Sequence, residues 1–277
     1  MTPVAWDPDF AARSPLFEPL RAIAGGLPRG RWPDAADLQR LATARRIATR
    51  SGAALTFVAP QSGAKPFDER YEPRIYRRGE MALRAGNWHD LLNALVWLTF
   101  PLSKAALNAR HYRESQARRG RSGANRGKVE DALTLFDEGG VIVASADASL
   151  TRLLAGFGWK QLFWARRADV LERMRFVVFG HALYEKALAP FSGVTGRGIA
   201  FQVEPDFLRA PPGEQAAGLD RRLARHLEDA AALQTTRELM PVPVLGVPGW
   251  FVANESACYY DDVAYFRPGR VNRPGSA

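Results

Sequence analysis

Cysteine is all but absent from this chain. Cys258 is the only one in 277 residues, so no internal disulfide can form and a cystine-held secreted mini-domain is excluded. Lysine is scarce as well: Lys65, Lys104, Lys128, Lys160 and Lys186 are the whole set, and arginine supplies the rest of the 38 basic residues. Long apolar runs are missing. The best of them, residues 91–102, is broken by Asn93, Thr99 and Pro101, and it falls short of the roughly 20 apolar residues that cross a hydrocarbon core. The first eight residues carry no basic leader ahead of an apolar stretch and do not read as a signal peptide. A cytoplasmic protein is the expectation.

What is present suffices for a core. With 47% hydrophobic and 24% charged residues, disorder and collagen-like repetition are excluded, and a chain of this length can bury about 75% of its unfolded surface. The 38 basic residues exceed the 29 acidic ones, a net charge of +9. Such a balance attracts polyanions. The abundance of arginine and alanine, as a GC-rich genome produces, accounts for much of it without any partner.

The residue pattern predicts an α+β fold: a single helix-rich domain spanning 1–277, with a small sheet. Five prolines before residue 30 suggest an extended N-terminal arm. Asp34 caps a helix through residue 50, and residues 53–58 form a strand. Asn87 caps an apolar helix over 88–100, and Pro101 starts a second over 102–116. Five basic residues and three glycines between 118 and 128 read as a loop. Ala132-Leu-Thr-Leu-Phe136 and Val141-Ile-Val-Ala144 flank Asp137-Glu-Gly-Gly140, which predicts a hairpin near 132–145. Helices at 150–157, 160–173 and 181–188, a strand at 199–203 and an amphipathic helix at 214–233 follow. The aromatic-rich tail, 240–277, reads as an ordered wrap.

Three of the four histidines adjoin the most apolar helices. His89 and Asn93, Asn108 and His111, and His181 and Glu185 stand three or four residues apart, so each pair shares a helix face. Imidazole with carboxylate suits a transition metal, which turns bound water into a nucleophile; without a metal the same groups serve as general acid and base. The simpler account of any one histidine is a satisfied buried group bonded to Asp90, Glu185 or a carbonyl. His226, among Arg225, Glu228 and Asp229, reads as surface. Asp131, Asp137 and Glu138 are placed to bring carboxylates toward the histidines, although turn chemistry accounts for Glu138 more simply. Asp261 and Asp262 read as caps or arginine partners. No Gly-x-Gly-x-x-Gly or Gly-x-Ser-x-Gly is present. Gly127-Lys128 is no phosphate loop, since Ser122 stands where its first glycine belongs.

Six segments together, Asn87 to Pro101, Lys104 to Asn108, Asp131 to Glu138, Phe179-Gly-His-Ala-Leu-Tyr-Glu-Lys186, Pro243 to Trp250 and Tyr259-Tyr-Asp-Asp262 with the run to Arg267, resemble the bacterial family of proteins of unknown function numbered 3025. The resemblance implies that the histidine and acid segments belong to one unit; it implies no activity.

The functional expectation is a hydrolase acting on an anionic, phosphate-containing substrate. His89, Asp90, His111, His181 and Glu185 are the candidate catalytic residues; Asn93, Asn108, Arg118 and Arg119 the candidate substrate contacts; His89, His111, His181 and Asp137 the candidate ligands of a divalent metal ion. The alternative is a non-catalytic nucleic-acid or ribonucleoprotein-binding protein that uses the basic loop.

Overall fold

The computed structural model describes residues 5–119 and 127–269. The predicted arm is not extended. Pro15 and Pro19, with φ pre-set for a helical turn, help coil it into short turns, Phe10–Ala12 and Pro15–Leu20, that lead into α1 (Arg21–Ala24). Its Phe10, Phe17 and Leu20 are fully buried.

α2 (Ala35–Ala44) starts at Asp34, whose carboxylate accepts from the Asp37 N–H while Asp37 accepts from the Asp34 N–H. It ends earlier than its periodicity suggests, because Arg46 takes a left-handed conformation with φ 51°. β1 (Thr56–Val58) and β2 (Glu80–Ala82) make a small parallel pair around α3 (Tyr71–Arg78). α4 (Trp88–Thr99) and α5 (Pro101–Ala117) then form the apolar centre, joined at Pro101, and α4 is buried around most of its circumference.

The predicted hairpin does not form. Residues 132–136 lie in α6 (Lys128–Gly139), which runs without a turn into β3 (Gly140–Ser145). Buried Ala132, Leu133 and Phe136, with Val129 beside them, recur at helical spacing. Gly139 and Gly140 are not turn residues with positive φ. A Cβ on Gly140 would meet the Phe136 carbonyl oxygen at 2.4 Å, so glycine is there for a tight exit from the helix.

α7 (Ala148–Ala155), a π-helical turn at Gln161–Ala165, and α8 (Arg167–Arg173) lead into β4 (Met174–Val178) and then α9 (His181–Ala187). β5 (Thr195–Gln202), α10 (Pro205–Arg209), α11 (Pro212–Glu228) and β6 (Met240–Pro243) follow. The strands order as β4-β3-β5-β6, with β3 parallel to β5 and the outer pairs antiparallel. β3 is buried along its whole length. The architecture is therefore mixed α+β and helix-rich. Beyond β6 the chain passes through short turns at Val244–Gly246, Val252–Glu255 and Ala257–Asp261, where Asn254 donates to the carbonyls of Leu245 and Val247. No helix among the described residues is long and apolar enough to cross a membrane.

Candidate functional site

Two segments far apart in sequence meet at one point. His89 lies in the first turn of α4, where the Asn87 side chain caps the helix by accepting from the Asp90 N–H. His181 opens α9 immediately after Gly180. A Cβ on Gly180 would stand 2.4 Å from Gly140 N and 2.5 Å from the Glu138 carbonyl oxygen, so only glycine allows this close backbone approach. The approach sets the start of α9 against the end of α6. His181 therefore lies beside Asp137 and Glu138.

The resulting cluster is compact. His181 Nε2 is 3.1 Å from His89 Nε2 and 3.4 Å from Glu138 Oε2. The two rings are nearly perpendicular, with centroids 4.5 Å apart. Each far nitrogen faces a carboxylate. His89 Nδ1 is hydrogen-bonded to Glu185 Oε2 at 2.9 Å, and His181 Nδ1 points toward Asp137 Oδ2 at 3.7 Å without a hydrogen bond. Asp137 is held in turn by the buried Lys104, whose ammonium bonds to it. That ammonium also sits 5.7 Å from the Trp97 ring centre and 5.9 Å from that of Phe179.

Burial lowers the His181 pKa to about 4, outweighing Asp137, so the imidazole is neutral at pH 7. Burial also opposes ionisation of Asp137, but Lys104 and His181 overcome it and hold this carboxyl below its ordinary value. Glu138 is pushed up, first by burial and then by Asp137 and Glu185, against the pull of His89 and Lys104. Among the described residues its ion-pair partner is His181 alone.

The expected site residues divide into those that converge and those that do not. His89, His181 and Glu185 come together. Glu185, however, serves His89 on the neighbouring helix, not His181 one turn away on its own. Asp90, one residue from His89, points elsewhere and accepts from the backbone N–H and guanidinium of Arg84. His111 is buried on α5 but is not a ligand in the cluster. It lies seven residues past Lys104, about 10 Å along the helix. Asp137 stands behind His181 as its carboxylate partner. The carboxylate facing both imidazoles is that of Glu138, which the hairpin reading had made a turn residue.

The side-chain donors expected to contact substrate are engaged within the protein, while Asn93 Oδ1 and Asn108 Oδ1 are buried without a partner. Asn93 donates to the Tyr71 hydroxyl at 2.8 Å, and Asn108 donates to the Glu72 carbonyl and carboxylate. Arg118 binds Glu130 at 2.6 Å, and Arg119 stacks over Phe67. From Lys104 to Arg118 is about 20 Å along α5, so neither arginine reaches the cluster. Residues 120–126 of the basic loop lie outside the described residues. Around the imidazoles the balance is acidic, with Asp90, Asp137, Glu138 and Glu185 against Lys104 and Arg84, the reverse of the chain as a whole. A groove of about 1340 Å³ lined by Arg21, Arg173, Arg175 and Arg209 shares no residue with the cluster.

No curated protein and no solved structure matches the chain. One family does, over residues 55–270, a span that takes in Tyr71, both imidazoles, the three carboxylates around them and the glycine that brings them together. The chain thus belongs to the family described as "Protein of unknown function (DUF3025)".

Proposed function

We propose that the protein is a cytoplasmic hydrolase whose reaction centre is the His89, His181 and Glu138 cluster. The observation that carries this reading is the convergence of two imidazole nitrogens and a carboxylate oxygen, with a second carboxylate behind each ring. Such a centre turns water into a nucleophile. The water oxygen bonds to the electrophilic atom of the substrate while one of its protons passes to a neighbouring carboxylate such as Glu138 or Glu185; the bond from that atom to the leaving group breaks, and the carboxyl returns the proton to the leaving group. With a single, exposed, free cysteine, nothing in the fold depends on an oxidising compartment.

The substrate expected from composition is anionic and phosphate-containing. With Arg118 and Arg119 engaged elsewhere, a phosphate has to be met by positive charge at the cluster itself. The test is a hydrolysis screen of phosphomonoesters, phosphodiesters, carboxylic esters and amides with purified wild type beside His89→Ala and Glu138→Gln, each checked for folding. Turnover of a phosphoester that falls about 100-fold or more in both variants supports the reading. Turnover that survives both substitutions, or none with any of the four classes, refutes it.

A further inference from the structure

The proposed reaction leaves open what cation the cluster uses, and the positions of its nitrogen protons answer that. His89 Nδ1 faces a carboxylate acceptor at 2.9 Å, so it carries the ring proton and leaves the lone pair on Nε2. His181 Nδ1 faces Asp137, whose negative charge favours a proton there also. That arrangement aims two Nε2 lone pairs at each other across 3.1 Å, with the Glu138 carboxylate oxygen 3.4 Å from one of them. Three electron pairs then converge with no proton between them. If a proton lies on the Nε2 to Nε2 axis instead, His181 Nδ1 turns a lone pair toward Asp137; with either tautomer this nitrogen makes no hydrogen bond and is the orphaned buried atom found in the structure. With the carboxylates ionised, either placement of one proton per ring leaves a nitrogen of the two rings unmatched by the side chains around it.

A shared cation satisfies both. We infer that His89 Nε2, His181 Nε2 and Glu138 Oε2 bind one first-row transition-metal dication, with Glu185 and Asp137 as the carboxylates that orient the two imidazoles. Two atoms each about 2.1 Å from one ion stand about 3.0 Å apart at a right angle and about 3.4 Å apart at the tetrahedral angle. The observed 3.1 Å and 3.4 Å fall on those separations, and the three ligand atoms all lie within 4.8 Å of one another. The 43% exposed Glu138 side chain is free to close the remaining distance. Two imidazoles and one carboxylate are the ligand chemistry of zinc, iron(II) and manganese rather than of calcium or magnesium. Three protein ligands leave open positions for water and substrate, and a carboxylate behind each imidazole fixes its tautomer. A dication also offsets the local acidic surplus that would otherwise repel a phosphate.

The inference rests on the same cluster as the proposed reaction, so binding and turnover are tested separately. Full-length protein freed of metal with a chelator is titrated with Zn²⁺ and, separately, with Co²⁺, whose visible spectrum reports nitrogen ligation. His181 is buried and its removal threatens folding, so the variants are the partly exposed His89→Ala and Glu138→Gln, with Asp137→Asn for orientation. One ion bound per chain is expected, with affinity falling about 100-fold in His89→Ala, and about 10-fold or more in Glu138→Gln and Asp137→Asn. Wild type that binds neither ion saturably, or binding unchanged by His89→Ala and Glu138→Gln, overturns the inference. Ion binding in this pattern without hydrolysis upholds the metal site and refutes the proposed reaction. Hydrolysis at full rate in metal-free protein does the opposite.

Discussion

Substituting Gly180 by alanine tests the link between fold and cluster. Gly180 has φ −67°, an ordinary value for any residue, so an added methyl costs nothing in backbone conformation and slightly lowers the freedom of the unfolded chain, a gain of about 0.4–1 kcal/mol. The cost is steric. The new Cβ would lie 2.4 Å from Gly140 N, 2.5 Å from the Glu138 carbonyl oxygen and 2.6 Å from the Gly139 carbonyl carbon. All three are backbone atoms that cannot swing aside, and the shortfall from ordinary contact is about 1 Å. The start of α9 must move away from the end of α6 by about that much. Overpacking of this kind costs about 1–3 kcal/mol, and three rigid neighbours put it near the upper end, or about 6–9 °C in Tm. With a total stability of about 5–15 kcal/mol, the variant still folds. His181, however, recedes from Glu138 by about 1 Å, a displacement worth about 100-fold in a reacting geometry. Thermal melts and hydrolysis rates are measured beside Gly213→Ala, a site where a Cβ meets nothing within 4 Å. Gly180→Ala with the melting temperature and rate of wild type would refute the reasoning that close backbone approach sets the cluster.

Three further expectations concern the same elements. Because burial lowers the His181 pKa from 6.5 to about 4, the unfolded chain binds more protons between those values; stability is intact above about pH 6.5 and falls toward pH 4 by about 3 kcal/mol. Urea midpoints against pH should flatten over that window in His181→Gln, and an unchanged slope would count against the assignment. Lys104→Met strands buried Asp137 without its partner and should cost about 3–5 kcal/mol at pH 7.5 and less at pH 4.5, where Asp137 can take a proton; adding Asp137→Asn should recover part of the loss in a double-mutant cycle, and simple additivity would contradict a coupled pair. Asn254→Ala leaves the Leu245 and Val247 carbonyls without their donor and should cost about 3 kcal/mol in thermal unfolding; a loss below about 0.5 kcal/mol would show that the tail is held by its aromatic rings alone.

The long elements were legible because their signals are local. Asn87 before the apolar run and Pro101 after it mark both ends of α4, and Leu219, Leu223 and Leu227 trace the buried stripe of α11. Residues 132–145 were misread because Ala-Leu-Thr-Leu-Phe fits both a two-residue and a helical period over five positions. Paired glycines, too, signal a tight turn and a tight contact equally well. That error carried into the site. With 137–140 read as a turn, Glu138 became a solvated loop acid, whereas helical geometry turns Asp137 and Glu138 about 100° apart, one behind His181 and one in front. The pairing of His89 with His181 spans 92 residues and leaves no local trace. Helical spacing correctly placed Glu185 near an imidazole, yet only the packing of α4 on α9 decides which one. His111 has the same residue type and a similar apolar setting, and its exclusion depends on which turn of α5 meets α6.

The N-terminal turns bear on how this protein is divided. Family likeness begins at residue 55, but Phe10, Phe17, Leu20, Ile23, Leu38 and Ile47 all precede it and are each 4% exposed or less. Phe17 stacks on Tyr184, next to Glu185, and Phe10 packs edge-on against Trp88, next to His89. At about 2 kcal/mol apiece these six side chains represent roughly 12 kcal/mol of burial, comparable to the whole stability of a domain. A chain cut where the likeness starts would keep every residue of the cluster and lose the floor under both helices that carry it. The span of the family match and the folding unit have different borders here, and the longer one is the one to express.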